Sequence, residues 1–391
     1  MKTKMLFMLI NMNIGGTEKA LLNRIAEIPE HKYDITILML EKYGGFLNAI
    51  PDHVNVEYVH EYSEIKGMVT NPPRRTIWNL IKKGRLIRAI TFSLIYGLSR
   101  ILKNKSIFLK YILRNIADIK NEYDVAIAYA GPMDLISYFV IHKISAEKKL
   151  QWIHFDVTKV GFDLPFAKRL YPEFDRIYTV SNEGKDLLVH ILPELQSNID
   201  SCPNKISSEL ILQMADEGAG FNDEFDGIRI LTIGRLSKEK GQDLVIPVLA
   251  KLKEKGYKVR WYCVGEGNSR SAYEFLIKKY HVEREFILLG AHPNPYPFLK
   301  QCDIYVQPSR HEGFCITLGE AKVFGKPIIT TNFTGAHEQI VHQKNGLITN
   351  IDEEEIYNSV EYLISNEEKR KRFEENLIIE TQKILVVKES I

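Results

Sequence analysis

Short apolar runs recur along the chain, and between them apolar residues return every three or four positions. The first run, 5–10, passes through Gly15 and Gly16 into a stretch in which Ala20, Leu21, Ile25 and Ile28 follow a helical period. This reads as a strand, a turn and a helix. Further strand-like runs fall at 35–40, 54–59, 125–130, 150–154 and 176–180, with helical stretches between most of them. Such alternation predicts a parallel sheet covered on both faces.

The rhythm restarts at Ile228. A strand over 228–233, a helix through Leu244, Val248, Leu249 and Leu252, and strands over 259–264, 286–289, 304–307, 327–330 and 346–348 predict a second α/β series, with a further helix after Thr317. An irregular stretch, 203–227, containing Gly218, Gly220 and Asp223, reads as the hinge. The expected organisation is a first domain over 1–205, a second over 206–370, and a charged C-terminal helix over 371–391 that packs back on the first domain. A length of 391 residues also suits two domains better than one core.

One segment breaks the pattern. Between residues 71 and 117 there is no Asp or Glu, while Arg74, Arg75, Lys82, Lys83, Arg85 and Arg88 stand among Trp78, Ile81, Leu86, Ile90 and Leu94. The spacing predicts basic, amphipathic helix inserted in the first domain. Contact with an anionic bilayer or anionic acceptor is one use, each nearby cation contributing about 1 kcal/mol. The other is a helical pair packed on the domain with its cations in water.

With 45% hydrophobic and 26% charged residues the chain has the composition of a soluble globular protein, which excludes the disordered and fibrous classes. A net charge of +2 gives no indication of a nucleic-acid partner. The four cysteines, Cys202, Cys263, Cys302 and Cys315, are too few and too irregularly spaced for a disulfide framework or a paired zinc site, and are expected to be reduced. Residues 1–10 lack a small-residue cleavage site, and no apolar stretch reaches about 20 residues. The expectation is a cytoplasmic protein, peripheral at the inner face of the membrane.

The strongest chemical signal is the run Ser309-Arg310-His311-Glu312-Gly313-Phe314-Cys315-Ile316-Thr317-Leu318-Gly319-Glu320, which follows a strand and precedes Gly325-Lys326-Pro327. A glycine-containing loop entering a helix near Thr317 presents backbone N–H groups and a positive dipole end to an anion. A second motif, Gly234-Arg235-Leu236-Ser237-Lys238-Glu239-Lys240-Gly241, closes the first strand of the second series, at the edge where open α/β sheets bind ligands. Cations there can neutralise phosphate oxygens. Gly265-Glu266-Gly267 after the next strand lacks the third glycine of a dinucleotide fingerprint, since position 270 is Arg270. It is either a base-contacting turn or a plain tight turn.

These motifs resemble the retaining glycosyltransferases of the GT-B fold, in particular glycosyltransferase family 4, also known as glycosyl transferases group 1. The likeness rests on Glu312 and Glu320, with seven residues between them, within SRHEGF and LGEA, on the GKP that follows, and on Gly-Arg then Lys-Gly at 234–241. It implies an α/β fold of two Rossmann-like domains facing each other across a cleft, with the donor held by the second. By resemblance, Glu312 contacts hydroxyls of the transferred sugar, Glu320 the ribose, and Arg235 and Lys240 the diphosphate as it leaves. Gly16, Gly234, Gly265, Gly267, Phe314, Cys315, Ile316, Thr317 and Leu318 are then the further donor contacts. In the first domain, Gly15-Gly16 resembles the family's glycine-rich first loop, with Gly15 toward the acceptor. His154 ends a strand as the family's histidine near the sugar does, and Asp156 beside it is an acceptor candidate. A structural histidine is the alternative for His154.

The resemblance implies a nucleotide-sugar donor, most commonly uridine-linked, and a glycan, lipid-linked or teichoic-acid-like acceptor of the cell envelope. The chain contains no Asp-x-Asp. The implied chemistry therefore needs no metal and no cofactor: the leaving diphosphate takes the acceptor's proton on one face of the sugar while protein cations and amides balance its charge. A nucleotide-sugar epimerase or hydrolase on the same scaffold, and a non-catalytic scaffold of a polysaccharide assembly complex, are the alternatives.

Overall fold

The computed structural model describes residues 2–389, and side chains as far as Thr381. The chain divides into two compact units, the first made of residues up to Asn13 and of Thr17–Pro203, the second of residues from Asn204 onward with Ile14–Gly16. In the first unit the strands are β1 (Thr3–Leu9), β2 (Tyr33–Met39), β3 (Asn55–Tyr58), β4 (Ile119–Gly131), β5 (Ile144–Ile153), β6 (Arg176–Thr179) and β7 (Ile199–Ser201). Its helices are α1 (Gly16–Glu27), α2 (Tyr62–Thr70), α3 (Pro73–Lys82), α4 (Leu86–Ile101), α5 (Lys105–Leu113), α6 (Asp134–Lys143), α7 (Leu164–Leu170) and α8 (Asn182–Ile191). All seven strands are parallel, in the order β3-β2-β1-β4-β5-β6-β7.

The second unit opens with α9 (Ser208–Asp216) and continues β8 (Ile228–Ile233), α10 (Gln242–Glu254), β9 (Val259–Val264), α11 (Arg270–Lys279), β10 (Phe286–Gly290), α12 (Tyr296–Gln301) and β11 (Ile304–Gln307). It ends with α13 (Ile316–Val323), β12 (Ile328–Thr331), α14 (Ala336–Gln339), β13 (Gly346–Thr349), α15 (Glu353–Ser365) and α16 (Glu367–Glu389). The sheet order is β10-β9-β8-β11-β12-β13, again all parallel. In both sheets the first strand lies next to the fourth, so the strand order reverses there and leaves a crevice at the carboxyl edge.

Alternation along the strands explains why each sheet is covered twice. On β8 and β9, Ile230, Val259, Trp261 and Cys263 join one core cluster, while Leu231, Ile233, Tyr262 and Val264 join the other. Helix α10 supplies Val245, Val248, Leu249 and Leu252 to the first of these. Burying each such side chain contributes about 1.5–3 kcal/mol.

The tail expectation is met differently by the side chains that are described. Phe373 and Leu377 of α16 are fully buried in the cores of the second unit, and Glu380 accepts a 2.9 Å hydrogen bond from Asn345 and lies 3.6 Å from Lys322 on α13. The side chains of 382–391 lie outside the described residues. The inserted segment is helical: α5 buries Leu109, Ile112 and Leu113 in the first unit's core, and α3 and α4 close on each other through Leu80, Ala89 and Phe92.

Candidate functional site

The chemistry-bearing loops of the second unit leave the carboxyl ends of β8, β9 and β11. After β8, Gly234 donates to the carbonyl of Val264 at 2.9 Å, Gln242 donates to the carbonyl of Arg235 at 2.9 Å, and Tyr273 to that of Ser237 at 2.8 Å. The loop is thus fixed by buried donors before any ligand arrives. Gly265 underlies it with φ +149°, where a Cβ would stand 2.0 Å from the Gly234 carbonyl oxygen. Gly267 likewise presses against the backbone of Leu236. Packing therefore accounts for both glycines as supports of the Gly234–Arg235 turn.

Gly241 (φ +74°) starts α10, and a side chain there would strike the Pro308 carbonyl. This close approach of two loops places Lys240 beside Glu312, whose Oε1 lies 2.6 Å from the ammonium. The same Oε1 accepts from Ser309 at 2.6 Å, Ser309 accepts from Gln307 at 2.7 Å, and Gln307 accepts from Tyr305 at 2.5 Å and Thr317 at 3.2 Å. Glu312 is 9% exposed. Burial alone would push the Lys240 ammonium down, but the Glu312 carboxylate outweighs it and holds the lysine above its ordinary value. The Ser309 hydroxyl, bonded to the same carboxylate oxygen, helps offset the cost of burying the pair.

Arg310, next to the pair, grips Asp243 with two bonds of 2.8 and 2.7 Å and ties the loop to α10. Arg235 differs. Its side chain is 54% exposed and lies 3.5 Å from Glu239, so it stays available to an anion. Cys315, in left-handed backbone (φ 46°), sits at the start of α13, whose first turn carries N–H groups without i−4 carbonyls. Burial, then Glu312, pushes its thiol up to about 12, so it is a neutral wall and no nucleophile.

Glu320 lies within α13, fully buried, and accepts from the Tyr296 hydroxyl at 3.1 Å. Burial and Glu320 together hold that phenol far above the ordinary tyrosine range. Ile316 and Leu318 turn their side chains into the protein, and the Leu318 N–H already donates to the Cys315 carbonyl at 3.1 Å. The Phe314 carbonyl is engaged by the Gln339 amide, and its ring is half-buried.

In the first unit, His154 follows β5 at 7% exposure, its ring edge-on to Tyr129 at 4.5 Å. Burial, with the Arg24 cation nearby, lowers its imidazole to about 3, so it is neutral at physiological pH. Its Nε2 has no hydrogen-bond partner among the described residues. Asp156 is 3% exposed and accepts from the backbone and hydroxyl of Thr158 at 2.8 and 2.6 Å, which makes it a turn cap. Gly15 is half-buried in the β1–α1 turn, and Gly16 opens α1 with nothing within 4 Å of an added Cβ, so no packing demands its bareness. Ser181 caps α8 by accepting from Gly184 at 3.1 Å.

Several supporting residues escape sequence reasoning. Ser309 was visible inside the SxxEGF run, but Tyr305 and Gln307 read as ordinary residues of an apolar strand, and Asp243 and Tyr296 meet Arg310 and Glu320 only through tertiary packing. Arg24, Tyr129 and Trp152, which surround His154, are of the same kind; Arg24 lies 4.3 Å over the Trp152 ring.

Two parallel α/β units with their loops so arranged define a protein of the two-domain GT-B glycosyltransferase fold. HepE of Anabaena, solved with UDP and glucose, superposes with a TM-score of 0.67 at 17% identity over 100% of both chains. TarM of Staphylococcus aureus, solved with fondaparinux, alpha-GlcNAc-glycerol and UDP, gives 0.67 at 16% identity over 98% of each chain. At those identities the likeness is one of fold. In sequence, residues 221–378 match the family described as Glycosyl transferases group 1. The N-acetylgalactosamine-N,N'-diacetylbacillosaminyl-diphospho-undecaprenol 4-alpha-N-acetylgalactosaminyltransferase of Campylobacter jejuni is 29% identical over 206 residues, 52% of this chain and 54% of that protein. The capsular polysaccharide biosynthesis glycosyltransferase CapM of Staphylococcus aureus is 28% identical over 161 residues, 39% of this chain and 40% of that protein. The chain spans about half the length of the curated relatives it matches.

Proposed function

We propose that the protein transfers a sugar from a nucleotide-sugar donor, uridine-linked, to a lipid-linked or polyol-phosphate glycan acceptor of the cell envelope, with retention at the anomeric carbon and without a metal. The observation that carries this reading is the buried Lys240–Glu312 pair at the mouth of the second sheet. Lys240 meets the diphosphate as charge develops on it, and Glu312, held by Ser309, orients hydroxyls of the sugar. Arg235 closes on the same phosphates from solvent, and the first turn of α13 adds its amides and dipole. Glu320 takes the ribose hydroxyls in exchange for part of its bond to Tyr296. The leaving oxygen accepts the acceptor's proton, so no enzyme nucleophile is required, in keeping with a protonated Cys315. His154, neutral, offers an uncharged hydrogen-bonding group on the first unit.

Support for the acceptor class comes from the relatives, one named for a diphospho-undecaprenol substrate and another for capsular polysaccharide biosynthesis. A thermal-shift screen of nucleotide sugars tests the reading, because a ligand bound only by the native state raises the midpoint. The expected result is stabilisation by one donor and by its nucleoside diphosphate, followed by acceptor-dependent release of that diphosphate with the anomeric configuration kept. Free sugar or an epimer without a transfer product would move the assignment to a hydrolase or epimerase. No stabilisation by any donor would leave a scaffold.

A further inference from the structure

The inserted helices carry two opposed faces. On α4, Ala89, Phe92 and Ser99 are buried against α3 and α5, with Tyr96 beside Phe92 and Phe108. At the complementary helical positions, Ile87, Ile90, Leu94, Leu98 and Ile101 are exposed, Ile87 to 81% and Ile101 to 80%. Their spacing of three or four residues makes one continuous stripe. Trp78 and Ile81 of α3, 57% and 41% exposed, extend it sideways, and an apolar groove of about 240 Å³ runs between the helices past Ile77, Leu86 and Ala89. An exposed apolar patch of this continuity marks an interaction surface.

The chemistry around the stripe selects the partner. Arg74, Arg75, Lys82, Lys83, Arg85, Arg88, Arg100 and Lys103 are all exposed on and between these helices, and none forms an ion pair among the described residues. The stripe itself offers no polar handle: Thr91 and Ser93 donate back to the helix carbonyls of Ile87 and Ala89 at 2.8 and 2.9 Å. A protein partner reading this face would have hydrogen bonds or acidic side chains to match; an anionic bilayer matches a bare apolar stripe rimmed by cations, with a tryptophan at the edge. No helix among the described residues is long and apolar enough to cross a membrane.

We infer that α3 and α4 form a hairpin that docks the protein on an anionic lipid surface, with the Ile87–Ile101 stripe in the headgroup boundary and the arginines and lysines on the phosphates. The docking is independent of glycosyl transfer and needs no donor. Flotation of the full chain with vesicles of 3:1 phosphatidylcholine and phosphatidylglycerol, against pure phosphatidylcholine, tests it in low salt and in high salt. Binding is expected only to the anionic vesicles, and weaker as salt rises. Replacing Ile90→Glu and Leu94→Glu together is expected to weaken it by more than about a hundredfold. Replacing Arg85→Gln and Arg88→Gln is expected to weaken it about thirtyfold, or about fivefold for each cation.

Trp152 and Trp261 are buried, so a blue shift of tryptophan emission on adding vesicles reports Trp78. The shift is expected to vanish in Trp78→Phe while flotation persists. All these side chains are exposed, so circular dichroism and thermal midpoint are expected to match the wild type. Equal binding to neutral vesicles, or flotation indifferent to both pairs of substitutions, would overturn the inference. So would a concentration-dependent dimer that Ile90→Glu and Leu94→Glu dissociate while the wild type ignores vesicles, since a second copy would then cover the stripe.

Discussion

The two units share a sheet order and differ in what they place at the carboxyl edge. In the second, that edge is ionic: Lys240 against Glu312, Arg310 against Asp243, and a half-exposed Arg235 beside Glu239. In the first, the corresponding edge is largely aromatic, with a neutral His154 packed on Tyr129, Arg24 lying over the Trp152 ring and Asp156 capping a turn. In the proposed transfer, the fixed charge of the second unit's edge is what a leaving diphosphate would require. The two units reach their different edges by changing only their loops.

Removing the charge from the ionic side is the strongest way to break this contrast. Lys240→Met is expected to lower turnover by about a hundredfold to a thousandfold. It also leaves Glu312 buried without its cation, at a cost of about 3–5 kcal/mol by chemical denaturation. Unchanged turnover would deny the pair its role. Glu320→Gln is expected next, with nucleoside diphosphate affinity by calorimetry falling about tenfold to a hundredfold, as for hydrogen bonds to a charged group. Tyr296→Phe is expected to affect affinity less, because it takes away only the stand-in partner. Arg235→Ala, on an exposed side chain, is expected to slow turnover about tenfold while moving the donor KM little, the signature of contacts made mainly in the transition state.

The neutral side is sharpened by pH. The folded His154 titrates near 3, below the ordinary value of 6.5, so the unfolded chain binds a proton that the native one refuses between those values. The stability it contributes is therefore complete above pH 6.5 and is lost as pH falls toward 3, by at most about 1.4 kcal/mol per unit. His154→Gln is expected to flatten the dependence of the denaturation midpoint on pH between 5 and 6.5. An identical slope in both proteins would mean that the imidazole is charged in the fold.

Both sheets were legible because their strands are apolar runs separated by helical periods, and the two ionic loops because their residue types cluster within a dozen positions. The edge strand β7 was not, since three residues, Ile199 to Ser201, carry no period of their own. The packing reason for Gly265 was hidden too: its need for glycine is set by the carbonyl of Gly234, at the end of the neighbouring strand. Tyr296 under Glu320 is likewise a meeting of α12 and α13 that only tertiary packing creates. In the insertion, composition announced basic amphipathic helix, but which face of α4 lies inward depends on Phe92 finding Phe108 on α5.

The course of α16 bears on how the protein must be handled. Phe373 and Leu377 plug the second unit's core, and Glu380 steadies Asn345 and Lys322, the latter two positions from Glu320. An expression boundary drawn at residue 366, ahead of α16, would unplug that core and remove the support of Asn345 and Lys322. The terminal helix is a keel for the second unit, and it has to be carried along whenever that unit is produced by itself.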